Sequence, residues 1–238
     1  MIMEFTTAGK SKALDYAKDA LLKKGWVYKE DAKVVLLPVP SLEPDGSIKG
    51  GGSTDDLPQD CLIIGGNLNA ITNHQTLDLL RNPLYVSENA AITAHCAIAE
   101  AATRLPVTLT GCKVLVIGWG RIGKCLVRLL RLLGAHVTVA ARKESDRALV
   151  AALGYQAMDP GAEMDLSPFR LIYNTADALI LTLPRQKSCR QDCLKIDLAS
   201  TKGIEGDDVI WARGLPGKCA PESSGNLIAE IVVKELQE

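Results

Sequence analysis

Two patterns of apolar and polar residues run through the second half of the chain. Short apolar runs bounded by glycine or charged residues predict buried strands at 113–117, 136–140, 155–158, 171–173, 195–198 and 209–212. Between them, apolar residues three or four positions apart predict helices at 121–133, 145–153 and 223–236. Strands that alternate with helices indicate a parallel sheet, so we expect a doubly wound α/β fold.

The first half carries a weaker pattern of the same kind. It predicts helices at 13–24 and 73–81, strands at 33–37, 61–64 and 84–86, and a loop rich in Gly, Ser, Pro and Asp at 41–58. No obvious first strand or glycine turn precedes the helix at 13–24. We therefore expect a smaller, shortened α/β domain here.

An alanine-rich helix at 88–104 joins the two halves and ends before Pro106, which cannot continue it. This pattern predicts an N-terminal domain at 1–87 and a larger Rossmann-type domain at 88–221 that includes the joining helix. The last segment, 222–238, is expected to be a helix that packs back on the N-terminal domain.

A glycine-rich turn follows the predicted strand at 113–117. It reads Gly118-Trp119-Gly120-Arg121-Ile122-Gly123, and a helix and a second strand come after it at the expected distances. In this context Gly118 makes the tight turn, Gly120 lets the backbone approach a pyrophosphate, and Gly123 lets the helix pack on the strand. The start of the helix, with Arg121 and Ile122, offers unpaired N–H groups to phosphates. The sequence therefore predicts a dinucleotide site.

The end of the second strand indicates which dinucleotide binds. NAD-preferring sites place Asp or Glu there for the ribose 2′-hydroxyl, whereas this chain has Ala141, Arg142 and Lys143. Arg142 can pair with a 2′-phosphate, and Lys143 adds a second positive charge. We therefore predict NADP as the cofactor, with NAD as the alternative.

The overall composition excludes several other classes of protein. Lys and Arg number 27 and Asp and Glu 28, so no basic field points to nucleic acid. No apolar stretch approaches the ~20 residues of a membrane span, and the N-terminus does not resemble a signal peptide, so we expect a cytoplasmic protein. Seven cysteines are an odd number for a disulfide framework. Cys189 and Cys193 lack a second ligand pair, so no metal is expected.

Several segments of the chain resemble the family formed by the A subunit of dipicolinate synthase, a relative of the hydroxyacid dehydrogenases and adenosylhomocysteinases. The similar segments are Lys113 to Gly123, Gly134-Ala135-His136-Val137, Ala141-Arg142, Tyr173-Asn174-Thr175, Ile196-Asp197-Leu198-Ala199-Ser200, Gly214-Leu215-Pro216-Gly217, Ala220-Pro221 and Gly225-Asn226, with Leu37-Pro38-Val39-Pro40 in the first domain. The resemblance is strongest from Ser87 onward.

The resemblance implies oxidation of a cyclic dihydro- or tetrahydro-dipicolinate to dipicolinate in sporulation, with NADP as hydride acceptor. It also implies that the partner is a flavoprotein-like B subunit. Ligands of doubly wound sheets lie beyond the carboxyl ends of the strands. We therefore expect Asn174 and Thr175 to touch the ribose, and Ala199 and Ser200 to border the nicotinamide.

The chain departs from the family at the start of the joining helix. The family usually reads Asn-x-x-Pro-Thr-x-Glu-Gly there, and this chain has His95 in place of the acid and Cys96 in place of the glycine. Because histidine moves protons near neutral pH, we predict that His95 is catalytic, together with Thr93 and Asn89 of the same helix. We also expect Ala99 and either Ala91 or Ile92 to share the face of His95, and Ile98 and Ala102 to pack inward.

A substrate with two carboxylates needs cations, and the nearest in sequence to the predicted cleft are Arg185, Lys202 and Arg213. Two alternatives to the predicted oxidoreductase stay open. The loss of the family's acid favours a non-catalytic NADP-binding subunit or paralogue. A D-2-hydroxyacid dehydrogenase ranks last, because such enzymes need an arginine where this chain has Ser200. We also expect the chain to form homo-oligomers.

Overall fold

A computed structural model describes residues 2–237. The chain divides into two compact units, one formed by Met1–Ile92 with Pro216–Glu238 and the other by Thr93–Leu215. The boundaries at 92 and 215 replace those expected at 87 and 221. The second boundary places the last helix of the chain in the first unit.

The first unit contains a five-stranded, wholly parallel sheet in the order β2-β1-β3-β4-β5. Its elements are β1 Glu4–Thr7, α1 Lys12–Lys23, β2 Val27–Tyr28, β3 Val34–Leu36, β4 Leu62–Gly65 and β5 Gln75–Asp78, with α6 Pro221–Gln237 from the end of the chain. The order 2-1-3-4-5 is that of flavodoxin-like doubly wound sheets.

Helix α1 forms because its apolar residues fall on one stripe and its first turn is capped. Ser11 Oγ accepts a hydrogen bond from the Leu14 N–H at 3.1 Å. The stripe packs against α6, and Leu14, Leu21, Leu227 and Ile228 belong to one buried core with Phe5. The C-terminal helix therefore completes the core of the first unit.

Three predictions for the first unit are wrong. A first strand does exist: β1 carries the fully buried Phe5, and Gly9 follows it in a left-handed conformation at φ 81°. The helix predicted at 73–81 is β5 followed by a 3-10 turn at Leu79–Arg81. The strand predicted at 84–86 is the first turn of a long helix.

That helix is α2, Pro83–Ala102, and the boundary between the units falls within it. Asn82 Oδ1 accepts hydrogen bonds from the N–H groups of Leu84 at 2.9 Å and Tyr85 at 3.0 Å. Asparagine before a proline at the first helical position is a helix-start signal. The apolar run at 84–86 concealed it, since a short run of that kind fits a strand equally well.

The second unit confirms the predicted Rossmann-type sheet. Its elements are β6 Lys113–Ile117, α3 Arg121–Leu132, β7 His136–Ala140, α4 Glu144–Ala152, β8 Gln156–Met158, β9 Leu171–Asn174, β10 Leu194–Asp197 and β11 Val209–Trp211, and α5 Leu215–Cys219 begins at its end. All six strands are parallel, in the order β8-β7-β6-β9-β10-β11. Numbered within the unit this is 3-2-1-4-5-6, the order of dinucleotide-binding sheets.

Candidate functional site

In the turn between β6 and α3, the fold requires glycine at both outer positions, for a different structural reason at each. Gly118 lies at φ 104°, where side chains are strained, and a Cβ there would overlap Thr175 Oγ1. A Cβ on Gly123 would overlap the carbonyl oxygen of Gly118. These two positions therefore need glycine for packing, with or without a ligand.

Gly120 differs, because a Cβ placed on it would meet no heavy atom within 4 Å. It caps the N-terminus of α3 at φ −80° without any side-chain cap. The first N–H groups of a helix have no partner within the helix, and the helix dipole makes this end positive. The open backbone at Gly120, with Arg121 and Ile122 behind it, is thus free to accept a phosphate.

This turn opens on a cleft of about 440 Å³ at the carboxyl ends of β6, β7 and β9. Its lining residues are Ile117, Gly118, Trp119, Gly120, Ala140, Ala141, Arg142, Lys143, Asp146, Pro160, Thr175, Ala176, Asp177, Ala178 and Ile180. The central strand β6 lies between β7 and β9, so the chain reverses its winding direction here. Dinucleotides bind at this switch point in doubly wound sheets.

Two cations stand at the rim of the cleft. Arg142 and Lys143 are exposed, and neither forms an ion pair with any residue in 2–237. The backbone between them and β7 is held by Arg147, whose Nη1 donates to the carbonyl oxygens of Ala141 at 2.9 Å and Arg142 at 2.7 Å. Arg147 also lies 3.4 Å from an Asp159 carboxylate oxygen. The rim is therefore a fixed turn that presents two unpaired positive charges.

Asn174 and Thr175 lie at the end of β9 but have different surroundings. Thr175 lines the cleft, and its Oγ1 donates to the Ile117 carbonyl at 2.9 Å. Asn174 is fully buried, and its Nδ2 donates to Ala176 O at 3.0 Å and Asp197 Oδ1 at 2.9 Å. Both amide hydrogens of Asn174 are used within the protein, so this side chain shapes the cleft wall instead of reaching a ribose.

Asp197 at the end of β10 is the centre of a buried hydrogen-bond network. Its Oδ1 accepts from the amides of Asn174 and Ala199, and its Oδ2 accepts from the N–H groups of Gly203 at 2.6 Å and Ile204 at 3.1 Å. Four donors satisfy a carboxylate that is wholly shielded from water. The network fixes the turn at 199–204 to the ends of β9 and β10.

Ala199 and Ser200 are not among the residues that line the cleft. Ala199 is buried, and its carbonyl oxygen accepts a hydrogen bond from Trp211 Nε1 at 3.0 Å. Ser200 is exposed, and its carbonyl oxygen accepts from Arg213 Nη1. Within the second unit, Ala199 and Ser200 therefore do not border the cleft.

The three predicted catalytic residues do not share one face of α2. Residues two positions apart lie on nearly opposite sides of a helix, and those four apart lie on the same side. His95 is exposed together with Ala91 and Ala99, whereas Thr93 is buried. Asn89 lies on the side of Thr93, so His95 faces away from the other two predicted catalytic residues, and their grouping in one site stays a prediction.

Two further features of α2 follow from its exposure pattern. Ala91 and Ala99 line up with His95 as predicted, but Ala102 is exposed instead of packing inward. On the buried side, the Ala97 carbonyl oxygen accepts a hydrogen bond from Tyr173 Oη at 2.8 Å. His95 is not among the residues that line the cleft.

All three predicted substrate cations contact other groups of the protein. Arg185 donates to the carbonyl oxygens of Ile180, Pro160 and Ala162 at 3.0, 2.5 and 2.6 Å. Arg213 donates to Ser200 and lies 5.3 Å from the centre of the Trp211 ring, and Lys202 lies over the same ring at 5.4 Å. Because hydrogen bonds occupy the guanidinium of Arg185, that residue holds the cleft wall together.

Sequence reasoning missed three residues of this region. Arg147 and Asp159 support the cationic turn, and Asp197 ties together two strand ends. Arg147 lies on a predicted helix at the fifth position after Arg142, which gave no sign that it would fold back on that turn. Asp197 was recognised only as part of a sequence motif, and its role depends on donors from residues far along the chain.

None of the helices formed by residues 2–237 is both long and apolar enough to span a membrane. Over the same residues, no group of three or more His, Cys, Asp or Glu side chains could hold a metal ion.

Comparison with known proteins shows the family to which the chain belongs. Residues 75–202 match the family model "D-isomer specific 2-hydroxyacid dehydrogenase, NAD binding domain", which covers more than half of the chain. The chain belongs to this family. An NAD-binding domain agrees with the Rossmann strand order and the glycine turn, and it supports a nicotinamide cofactor.

The relatives of this NAD-binding domain protein agree with the resemblance seen in the sequence. The A subunit of dipicolinate synthase from Bacillus subtilis (strain 168) is 26% identical over a 230-residue alignment that covers 86% of this chain and 77% of the relative. The crystal structure of the corresponding A subunit from Bacillus halodurans superposes with a TM-score of 0.84 at 22% identity, over 99% of this chain and 98% of that one. A transhydrogenase from Sinorhizobium meliloti shares the fold with a TM-score of 0.75 at 18% identity, over 98% and 93% of the two chains.

Proposed function

We propose that the chain is an NADP-dependent oxidoreductase that resembles the A subunit of dipicolinate synthase and oxidises a cyclic dihydro- or tetrahydro-dipicolinate to dipicolinate. The observation that carries the cofactor part is the pair of unpaired cations, Arg142 and Lys143, on the rim of a cleft that opens at Gly120. The substrate part rests on the similarity to the B. subtilis protein. We also propose a role in sporulation and a flavoprotein-like B subunit as the partner, as the resemblance in the sequence implies.

Each group of the cleft has a defined task in this proposal. The open backbone at Gly120 and the first turn of α3 bind the pyrophosphate. Arg142 and Lys143 pair with the 2′-phosphate, and Arg147 holds them in place through the backbone. A bound NADP⁺ supplies a hydride acceptor. The Asn174–Asp197 network keeps the wall of the cleft rigid around it.

No carboxylate stands at the end of β7, which argues for NADP over NAD. The residue there is Ala140, followed by Ala141 and Arg142. Asp146 does line the cleft, from the first turn of α4. It is the side chain that would serve the alternative cofactor, because a carboxylate accepts a bond from the ribose 2′-hydroxyl.

The cofactor assignment is tested by titrating the chain with NADPH and NADH and following the quenching of its tryptophan fluorescence. We expect NADPH to bind at least several-fold more tightly. The Arg142→Ala variant should lose roughly tenfold or more in NADPH affinity, since a hydrogen bond to a charged group contributes about 1.5–3 kcal/mol. Its NADH affinity should stay unchanged. Arg128→Ala, an exposed arginine on α3, is the matched control and should change neither value. Equal affinities in the unmutated chain would contradict the assignment.

The reaction is tested separately. The purified chain is incubated with NADP⁺ and freshly prepared dihydrodipicolinate, with and without a B subunit, and NADPH formation is followed by its absorbance. We expect NADPH to accumulate together with dipicolinate. Tight NADPH binding without turnover under either condition would instead support the alternative, a non-catalytic NADP-binding subunit, which the presence of His95 in place of the family's acid favours.

The same assay separates the third candidate, a D-2-hydroxyacid dehydrogenase. The matched family covers such enzymes, but it describes their cofactor domain. Ser200 stands where those enzymes need an arginine for the substrate carboxylate, and its carbonyl oxygen is bonded to Arg213. We therefore expect no NADP⁺ or NAD⁺ reduction with D-lactate or D-glycerate.

A further inference from the structure

Two cysteines lie four residues apart on the connection that leads into β10. Cys189 and Cys193 lie between a 3-10 turn at Leu183–Gln186 and the first residue of the strand. The N–H of Cys189 donates to Gln186 O at 2.8 Å, and that of Cys193 donates to Arg190 O at 3.2 Å. These two consecutive turns fold the segment back on itself, and the side chains of both cysteines pack against the same apolar core.

The two thiols differ in their access to water. Cys193 is 6% exposed and belongs to the apolar core on one face of the sheet, with Ile172 and Leu181. Cys189 packs against the edge of the same core but is only half-buried. A small reagent in solution can therefore contact the Cys189 thiol. The Cys193 thiol is shielded from such a reagent, and we expect it to react only with a sulfur already bonded to Cys189.

The charges around the pair favour a thiolate at the outer sulfur. The hydrogen bond from Cys193 and the nearby ammonium of Lys195 lower the pKa of Cys189, against the opposing effects of burial and of Asp208. The hydrogen bond to Cys189 and burial raise the pKa of Cys193. Lys195 itself is bound by Gln186 Oε1 at 3.0 Å and Asp208 Oδ2 at 2.6 Å, so its charge is held in place.

The remaining charges near the pair belong to Arg190 and Asp192, which lie between the two cysteines. Arg190 Nε donates to Asp192 Oδ1 at 2.8 Å, and Arg170 pairs with the other oxygen. This ion-paired group carries no unpaired carboxylate that would oppose a thiolate at Cys189. The thiolate is the reactive form of cysteine.

We propose that Cys189 and Cys193 are a redox-active pair that closes to an intramolecular disulfide in reaction with a low-molecular-weight disulfide, RSSR. The Cys189 thiolate attacks one sulfur of RSSR, the S–S bond breaks, and RS⁻ leaves. The Cys193 thiol then gives up its proton, its sulfur attacks Cys189, and the second RS⁻ leaves. The protein loses two electrons and two protons, and RSSR is reduced to two RSH.

Two properties separate this pair from a structural disulfide and from a metal site. The ring would close only the segment 189–193, and such a short loop constrains the unfolded chain little, so oxidation should not greatly raise stability. Over residues 2–237 no third or fourth ligand accompanies the two thiols, whereas a structural zinc site needs four.

The test uses the full reduced chain and oxidised glutathione as RSSR, with peptide mass mapping after quenching with acid. We expect a peptide that contains both cysteines to lose two hydrogens, and dithiothreitol to restore them. Cys193→Ser should instead retain a glutathione adduct on Cys189, and Cys189→Ser should give no adduct on Cys193. A lasting adduct on Cys189 in the unmutated chain, with no loss of hydrogens, would overturn the proposal.

Two controls make the result specific. Cys219 is exposed and has no thiol partner among the described residues, so it should form an adduct but no internal disulfide. At neutral pH, iodoacetamide should modify Cys189 faster than Cys219, since more of it is thiolate. Equal or slower modification of Cys189 would contradict its role as the attacking thiol. Cys193→Ala, which keeps the apolar contact, gives the same readout if the serine variant folds poorly.

Discussion

Gly120 is the residue at which a ligand, and not the fold, explains the choice of amino acid. Gly118 and Gly123 are enclosed by neighbouring atoms, but a side chain on Gly120 would enter open space. Its φ of −80° suits any residue. A larger residue at position 120 should therefore leave the stability of the fold unchanged and interfere only with cofactor binding.

We predict that Gly120→Val folds normally but no longer binds NADPH or NADH, because the valine side chain occupies the volume of the pyrophosphate. Far-ultraviolet circular dichroism and thermal unfolding check the fold, and calorimetric titration checks the binding. Gly118→Val serves as the contrast, since it should destabilise the fold through its φ of 104° and its overlap with Thr175. Unchanged cofactor affinity in Gly120→Val would show that the cleft is not the cofactor-binding site.

His95 is the second residue whose role can be tested alone. It is exposed on α2, on the side opposite Thr93. If its ring transfers a proton, His95→Gln should lower turnover by about 10²-fold, at the low end for general acid–base catalysis. NADPH affinity should stay the same, because the groups proposed to bind its phosphates, Gly120 and Arg142, lie outside α2. Ala99→Gln, on the same exposed face, is the control. Full turnover in His95→Gln would exclude the histidine from the mechanism.

At the level of elements, the close approach of α1 and α6 depends on Gly225. A Cβ on this residue would lie 2.5 Å from Tyr16 Cβ, 2.6 Å from Ala13 O and 2.7 Å from Ala17 N. Two of these atoms belong to helix backbone, which cannot move aside cheaply. The short distance between the helices lets Leu227 and Ile228 reach the core that Phe5 shares with Leu14.

We therefore predict that Gly225→Ala lowers the free energy of unfolding by about 1–3 kcal/mol, the usual cost of overpacking. In an unconstrained helix the same change would stabilise by about 1 kcal/mol. Urea denaturation measures the difference. Gly217→Ala in α5 is the matched control, because its Cβ would meet nothing within 4 Å. If both variants were equally stable, the close packing at Gly225 would be refuted.

At the scale of the whole molecule, the sequence predicted the strands of the second unit's sheet better than those of the first unit's sheet. In the second unit the strands are buried apolar runs such as Val114 to Ile117. The helices between them carry their apolar residues along one face, and Gly134 and Gly154 follow the ends of α3 and α4. Each of these signals is local, so the parallel Rossmann-type sheet and its glycine turn followed from them. The family match and the superposition on the dipicolinate synthase structure agree with that fold.

In the first unit the same reasoning failed where local signals were mixed. β1 is mostly polar, with Phe5 as its one large apolar residue, yet it lies between β2 and β3. β5 is an edge strand of four residues with two exposed positions, and its sequence also suits a helix turn. Their strand conformation comes from pairing with neighbours distant in sequence, which no local pattern records.

The sequence by itself determined the Rossmann domain, the positions of Gly118, Gly120 and Gly123, and the cations Arg142 and Lys143. It could do so because those signals depend on residues close together in the chain. Only the tertiary structure decided that Asn174 is engaged by Asp197 and that Arg147 holds the cationic turn. It also placed Cys189 and Cys193 against one apolar core. These contacts depend on how strand ends and loops pack in space, and this packing is not a property of any one segment.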